Sequence, residues 1–293
     1  MKFANLHLHS TYSDGIFTPE ELCVKAKKMG YGALALADHE TAIGYDDLLT
    51  ACRKHGMECI RGIEMYGPFE GYPLHITGYD FDMTNPKVVK YHNDCREHYY
   101  FLTKNKFENM QTRGLVGDLT WETVLADSPK DAWLCNEQIF ASLIKRCGYK
   151  QQDYWTWIKT YHSLPVTTTL PSREYNSAQN LIPMIRDAGG VAVLAHPHKQ
   201  THLLDDLYKL GLNGVEYSHP GVDEFDSEQA IAWAKKRNAY LSGGTDHTGE
   251  LGNNMERGDQ PWDSEDHVVA YDALVYDGVT EEEFWILKNR IKG

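Results

Sequence analysis

The chain has 293 residues, of which 42% are hydrophobic, and its formal net charge is −13 at pH 7. A chain of this length can bury one large core, whereas its negative charge would repel a nucleic-acid backbone and argues against long nucleic acid as a partner. No run approaches the ~18 apolar residues of a membrane span, and the first residues lead into a strand instead of a signal peptide. We therefore expect a cytoplasmic protein without membrane contact, and these quantities leave its oligomeric state open.

The first predicted strand, residues 2–9, carries His7 and His9 two positions apart. Side chains of a strand alternate between its faces, so both imidazoles lie on one face and can bind the same divalent cation. Asp14 follows in an Asp-Gly pair that is also typical of a turn. This segment makes a metal site the first hypothesis.

Helices and strands alternate along the rest of the chain. Thr18 to Glu21 form a capping box with proline at the first helical position, and Gly30 ends that helix. The spacing of apolar residues predicts further helices near residues 45–54, 179–188, 203–210, 224–237 and 280–291. This alternation predicts an α/β fold.

Five later apolar segments also end in side chains that can bind metal. These side chains are Asp38 and His39, Glu64, His75, His196 and His198, and Asp246 and His247. Continuous apolar strands separated by helices predict a parallel sheet that is buried on both faces. In α/β barrels the chemistry collects where such strands end, so we expect these groups to converge.

Residues 85–175 are predicted to be mainly helical. This segment is much longer than the connection between two strands of a barrel needs to be. It contains Trp121, Trp133, Trp155 and Trp157. Two interpretations remain open at this point. The tryptophans could form a small core of their own, or one or two of them could line a lid over the metals and stack on a substrate ring.

The strand-end motifs resemble those of the PHP phosphoesterases, the polymerase and histidinol phosphatase family. The resemblance rests on residues 7–15, Asp38-His39, Gly62-Ile63-Glu64, His75, Ala195-His196-Pro197 and Gly244-Thr245-Asp246-His247. It covers roughly residues 1–80 and 181–250. It implies a distorted (β/α)7 TIM-like barrel formed by residues 1–84 and 176–293, with residues 85–175 as a mainly helical inserted subdomain.

The same resemblance implies a cluster of two or three divalent transition-metal ions. The first ion would be bound by His7, His9, Glu64 and Asp246, the second by Glu64, His75 and His196, and the third by Asp14, His39 and His247. A mixed set of imidazoles and carboxylates suits manganese, zinc or iron, and the sequence does not choose among them.

The last motif departs from the family pattern. Many members separate the final aspartate and histidine by one residue, whereas Asp246 and His247 are adjacent. Adjacent side chains of a regular strand point to opposite faces. His247 would therefore reach the cluster only if strand geometry ends by Asp246, and otherwise the third ion has fewer protein ligands or is missing.

The implied activity is that of a metal-dependent phosphoric ester hydrolase acting on a small phosphorylated metabolite or nucleotide. A metal-bridging hydroxide held by Glu64 and Asp246 would attack phosphorus while the ions neutralise the phosphate oxygens. Candidate substrate contacts stand near the strand ends. They are His198, which is also the candidate general acid, together with Lys199, Arg173 and His219.

Other activities fit parts of the same sequence. Within the family, histidinol-phosphate phosphatase is one alternative, and hydrolysis of a nucleotide bisphosphate or a cyclic phosphate is another. An amidohydrolase-like metal hydrolase uses similar barrels, but its usual metal-bridging lysine is not evident. A non-catalytic PHP binding module would tend to lose ligands, whereas this chain keeps all nine.

Overall fold

The computed structural model describes residues 2–248 and 277–290, which form a mixed α/β fold. Its strands are β1 (Ala4–Asn5), β2 (Ala33–Leu34), β3 (Glu58–Cys59), β4 (Gly62–Tyr66), β5 (His75–Tyr79), β6 (Val191–Leu194), β7 (Gly214–Ser218) and β8 (Tyr240–Gly243). Its helices are α1 (Pro19–Lys28), α2 (Tyr45–His55), α3 (Pro86–Thr112), α4 (Trp121–Asp127), α5 (Asn136–Cys147), α6 (Tyr154–Ser163), α7 (Ala178–Asp187), α8 (Leu204–Lys209), α9 (Glu224–Arg237) and α10 (Glu281–Lys288).

The helices predicted from the sequence are confirmed. Both capping boxes form, at Thr18 before α1 and at Thr280 before α10. The predicted end of the last helix at Ile291 lies outside the described residues. Within the described ranges, none of the helices combines the length and the apolar character that crossing a membrane requires.

The described strands lie in two sheets, of order β1-β2-β3 and β4-β5-β6-β7-β8. The expectation of a wholly parallel sheet is wrong for β5, which runs antiparallel to both β4 and β6. The reason is the connection from β4 to β5, residues 67–74, which is too short for the crossover that a parallel pair needs. The remaining pairs are parallel.

Hydrogen bonds connect the edges of the two sheets without making them one closed barrel of described strands. Leu6 N–H donates to Gly243 O over 3.0 Å, and His9 N–H donates to His247 O over 3.0 Å. An isolated bridge also pairs His39, which follows the central strand β2, with Glu64 on β4. These links bring β4 together with the segments that follow β1, β2 and β8, and most of the predicted metal ligands lie there.

The helices α3 to α6 have a hydrophobic cluster of their own. Trp121, Trp155 and Trp157 are buried in it together with Phe107 and Phe140. For these three tryptophans the structure therefore favours the small-core interpretation. Trp133 differs, because its ring centroid lies 5.4 Å from that of His39 at the end of β2. The domain boundaries at residues 85 and 175 stay a prediction.

Candidate metal centre

Glu64, on the buried strand β4, lies at the centre of a group of five histidines. Its Oε1 is 3.3 Å from His7 Nε2 and 2.9 Å from both His75 Nδ1 and His196 Nε2. Its Oε2 is 3.5 Å from His9 Nε2 and 3.1 Å from His39 Nδ1. The side chain of Glu64 is only 1% exposed. One carboxylate therefore faces imidazoles on both of its oxygens, as a ligand that bridges two cations must.

Asp246 faces the same histidines from the end of β8. Its Oδ1 lies 2.8 Å from His9 Nε2 and 3.6 Å from His7 Nε2. The backbone at Asp246 is left-handed, with φ 51°, so strand geometry has ended there. Gly244 makes this approach possible, because a Cβ at that position would meet His7 N at 2.3 Å. Only glycine fits where the two chain segments come so close.

Asp14 completes a third group with His9 and His39. Its Oδ1 lies 3.2 Å from His9 Nδ1, and its Oδ2 lies 3.7 Å from His39 Nε2. His9 thus stands between Asp14 and Asp246, with one ring nitrogen toward each.

The structure brings together eight of the nine predicted metal ligands and leaves out one. His247 belongs to none of the groups of three or more potential ligands found among the described residues. Its ring lies beside that of Phe17, at 5.9 Å between centroids. The left-handed backbone at Asp246 turns that carboxylate toward His7 and His9, and the adjacent His247 points elsewhere.

The floor of the cluster is closed and its rim is open. His7 and His9 are fully buried beneath Glu64. Around the rim, Asp246 is 33% exposed and His75 is 28% exposed. Among the described residues, the cluster is therefore accessible to a small molecule at Asp246 and His75.

The charges and donors of the cluster fit divalent cations. Burial opposes ionisation of Glu64 and Asp246, but the surrounding histidines outweigh it and hold the pKa of each carboxyl well below its usual range. Both therefore present negative charge inside the protein. His7 Nε2 and both ring nitrogens of His9 are buried and face carboxylate oxygens of Glu64, Asp14 and Asp246 without the geometry of a regular hydrogen bond. Buried nitrogens of this kind are rare unless a ligand accounts for them.

Glu216 is a member of the site that the sequence reasoning missed. It is 1% exposed on β7, and its carboxylate lies 3.2 Å from His7 Nδ1. It also accepts a hydrogen bond from His196 N–H over 2.7 Å. A proton on His7 Nδ1 donated to Glu216 leaves the Nε2 lone pair directed at Glu64 and Asp246. The available signal was an acidic residue inside the apolar run 214–218.

His219 lies beside Asp246 and is 5% exposed. Gly221 N–H donates to its Nδ1 over 2.8 Å, so that nitrogen accepts and the proton of the neutral ring is on Nε2. His219 Nε2 is 3.3 Å from Asp246 Oδ2. In this tautomer His219 can donate to Asp246 and so orient it. The sequence had predicted that His219 contacts the substrate instead.

The other predicted substrate contacts have partners outside the cluster. His198 groups with Asp223 and Asp226, while the backbone N–H of the exposed Lys199 donates to Asp226 over 2.7 Å. Arg173 Nη1 donates to Glu40 Oε1 over 3.2 Å. Because Glu40 directly follows His39, this ion pair holds Arg173 close to the end of β2.

Asp38 is a second site residue whose role the sequence did not assign. Its buried carboxylate accepts hydrogen bonds from Ser10 N–H, Ser10 Oγ and Ser13 Oγ over 2.7, 2.8 and 2.6 Å. These bonds fix the loop that carries Asp14. Asp38 thereby joins the end of β2 to the loop after β1.

We predict that Asp38→Ala lowers the free energy of unfolding by roughly 2 to 4 kcal/mol, because it leaves buried donors of Ser10 and Ser13 unpaired. Urea denaturation followed by circular dichroism measures the effect. Asp47→Ala is the matched control, since Asp47 accepts a hydrogen bond from Tyr12 of the same loop at an exposed position. Its cost should stay below about 1 kcal/mol. Equal costs for the two variants would show that Asp38 does not hold the loop.

Comparison with known proteins places these observations in a family. Residues 5–163, more than half of the chain, match the PHP domain. A 5'-3' exoribonuclease of Haemophilus influenzae is 28% identical over 267 residues, which cover 86% of this chain and 94% of that protein. A phosphoribosyl 1,2-cyclic phosphate 1,2-diphosphodiesterase of Eggerthella lenta is 28% identical over 258 residues, which cover 85% of this chain and 95% of that protein.

A solved structure from Bifidobacterium adolescentis, described as a metal-dependent phosphoesterase, has a TM-score of 0.75 at 22% identity and covers 99% of this chain and 96% of that chain. This likeness supports the fold. The family match includes the helical segment α3 to α6, which the resemblance in sequence motifs did not cover. The relatives hydrolyse phosphoric esters, so that prediction for this chain is confirmed. The chain belongs to the PHP domain family.

Proposed function

We propose that this protein is a metal-dependent phosphoesterase that hydrolyses a small phosphate ester of a ribose compound, with nucleotides as the favoured class. The observation that carries the proposal is the position of Glu64, which contacts five imidazoles with its two oxygens. The two curated relatives support the substrate class, because one acts on RNA and the other on a cyclic phosphate of a phosphoribosyl group.

In this proposal eight side chains bind two or three divalent ions. They are His7, His9, Asp14, His39, Glu64, His75, His196 and Asp246. Bound manganese, zinc or iron would activate a water and neutralise the phosphate. Glu64 would hold two of these ions with its two oxygens, and Glu216 keeps the His7 proton on Nδ1 through the 3.2 Å contact. His219 orients Asp246 in the same way through its Nε2.

The strand arrangement supports a distorted seven-stranded barrel around this cluster. Isolated bridges pair Leu8, after β1, with His247, after β8, and His39, after β2, with Glu64 on β4. In a barrel these links would close the ring of strands. Such a ring would explain why ligands from five other chain segments converge around Glu64.

The remaining predicted substrate contacts are proposed to bind the phosphate and to protonate the leaving group. Arg173, which the Glu40 carboxylate holds at 3.2 Å, is the proposed clamp for a substrate phosphate. His198 and Lys199 are the proposed outer contacts, with His198 as the general acid for the leaving oxygen.

A screen of phosphate release tests the proposal. The purified protein, loaded in turn with manganese, zinc and iron, should release phosphate or a monoester from at least one of four substrate types. These are nucleoside monophosphates, nucleoside bisphosphates, short 5'-phosphorylated oligoribonucleotides and cyclic ribose phosphates. Elemental analysis of the same samples should find two or three ions per chain. Inactivity with every metal and every substrate would contradict the proposal.

We predict that Asp14→Ala removes at most one ion per chain, because the contacts of Asp14 are limited to His9, His39 and Ser13 among the described side chains. The variant should lose affinity for inorganic phosphate, whereas its melting temperature should change little. Elemental analysis and isothermal titration with phosphate measure the two effects, with the exposed Asp206→Ala as control. A full ion complement in the variant, or an unfolded protein, would show that Asp14 serves the turn instead.

A further inference from the structure

A cavity of about 230 Å³ lies directly beside the metal centre, between the end of β2 and helix α3. Trp133 forms one wall and also contacts the proposed ligand His39, at 5.4 Å between ring centroids. Glu40, the residue after His39, forms another part of the lining. The cavity therefore adjoins the cluster through Trp133 and Glu40.

The remaining walls combine apolar and polar side chains. Ile43 and Met83 line the cavity together with Val89, His92 and Asn93 of α3. His92 Nε2 is buried and has no hydrogen-bond partner among the described residues. Burial lowers the pKa of His92 to about 4, so its ring is neutral at pH 7. An aromatic wall, apolar sides and neutral hydrogen-bonding groups are what a flat heterocycle needs.

The charges of the cavity argue against a phosphate as its occupant. Its cation Arg96 is paired with Asp131 over 2.8 Å, and Glu40 is paired with Arg173 over 3.2 Å. The cavity therefore offers no net positive charge to an anion. Its size is below the range of about 300 to 1,000 Å³ for drug-sized ligands, and it suits a single ring system.

We propose that this cavity binds the base of a nucleotide whose phosphate lies at the metal centre. Trp133 stacks on the base, and His92 and Asn93 contact its polar edge. The inference rests on the proposed phosphoesterase function and narrows it, because it selects nucleotides over base-free ribose phosphates. The cavity is thus a specificity site for the base.

The test narrows the cavity from its α3 side, at a residue that is not a proposed metal ligand. Val89 is 43% exposed on α3, so Val89→Trp adds bulk to the cavity without altering a residue of the metal centre. Val166→Trp is the matched control, since Val166 is 41% exposed and is not part of the cavity lining. Trp133→Ala and Trp133→Phe separate stacking from the support that Trp133 gives to His39.

Val89→Trp and Trp133→Ala should raise KM for adenosine 3',5'-bisphosphate about tenfold, the size of one lost stacking contact. KM for ribose 5-phosphate should stay within about twofold in Val89→Trp, and Trp133→Phe should recover most of the affinity. Equal changes for both substrates, or no change for either, would overturn the base site.

A binding measurement keeps this inference separate from the catalytic proposal. Saturation-transfer NMR on protein treated with a chelator should detect adenosine but not ribose, and Val89→Trp should abolish the adenosine signal. If no phosphate ester is hydrolysed but adenosine binds in this way, the catalytic proposal fails and the base site stands. If adenosine gives the same signal with wild-type and Val89→Trp protein, the base site is wrong whatever the activity.

Discussion

Replacing Glu64 by glutamine should abolish turnover and reduce the number of bound ions. An amide has one oxygen that can bind a cation and carries no charge, so it cannot bridge two ions as a carboxylate can. Glu64 contacts five imidazoles and is 1% exposed, so no water or neighbour can replace its charge. We expect kcat to fall by more than about 100-fold, beyond the effect of losing an outer-shell partner of a metal ligand.

Phosphate release and elemental analysis measure the effect of Glu64→Gln. The control is Glu58→Gln. Glu58 is an exposed residue of strand β3, and its carboxylate is paired with Lys288. That variant should keep wild-type activity and metal content. A Glu64→Gln protein with wild-type rates and a full complement of ions would refute the bridging role.

Replacing Glu216 by glutamine should weaken metal binding although Glu216 is not a proposed ligand. The carboxylate lies 3.2 Å from His7 Nδ1 and accepts from His196 N–H over 2.7 Å. An amide at this position can donate its own hydrogen to His7 Nδ1 and so favour the tautomer that blocks Nε2. Loss of such partners lowers metal affinity by about 10- to 100-fold.

A competition titration with a metal-sensitive dye measures the affinity for manganese in wild type and Glu216→Gln. Turnover at saturating manganese should recover toward the wild-type rate, which a general folding defect would not allow. The control is Tyr217→Phe, which removes the next hydroxyl on the same strand, where it bonds to Glu283. Identical manganese affinities for wild type and Glu216→Gln would show that Glu216 does not support metal binding.

The proposed metal ligands could be predicted because each lies in or next to an apolar strand segment and matches a family motif. His7, His9 and His196 follow strands, whereas Glu64 lies within β4 and His75 begins β5, and the structure brings all five together. The position of His247 outside the cluster could not be predicted, since it depends on the left-handed backbone at Asp246. A local pattern does not fix the dihedral angle at the end of a strand.

Glu216 escaped prediction for a related reason. A glutamate within a strand ordinarily indicates a face toward solvent, and only the complete sheet shows that β7 buries this residue. The pairing of Arg173 with Glu40 is also a tertiary contact between residues far apart in the chain. The antiparallel β5 was within reach of sequence analysis, because the short connection 67–74 already excludes a crossover.

The most direct test of the metal centre is anomalous diffraction at the manganese edge from crystals grown with manganese. We expect two or three peaks, separated by about 3.5 to 4 Å, with one pair bridged by Glu64 and with His7, His9 and Asp246 around it. Well-ordered crystals of active protein with no peak at Glu64, or with manganese bound only on the surface, would contradict the account.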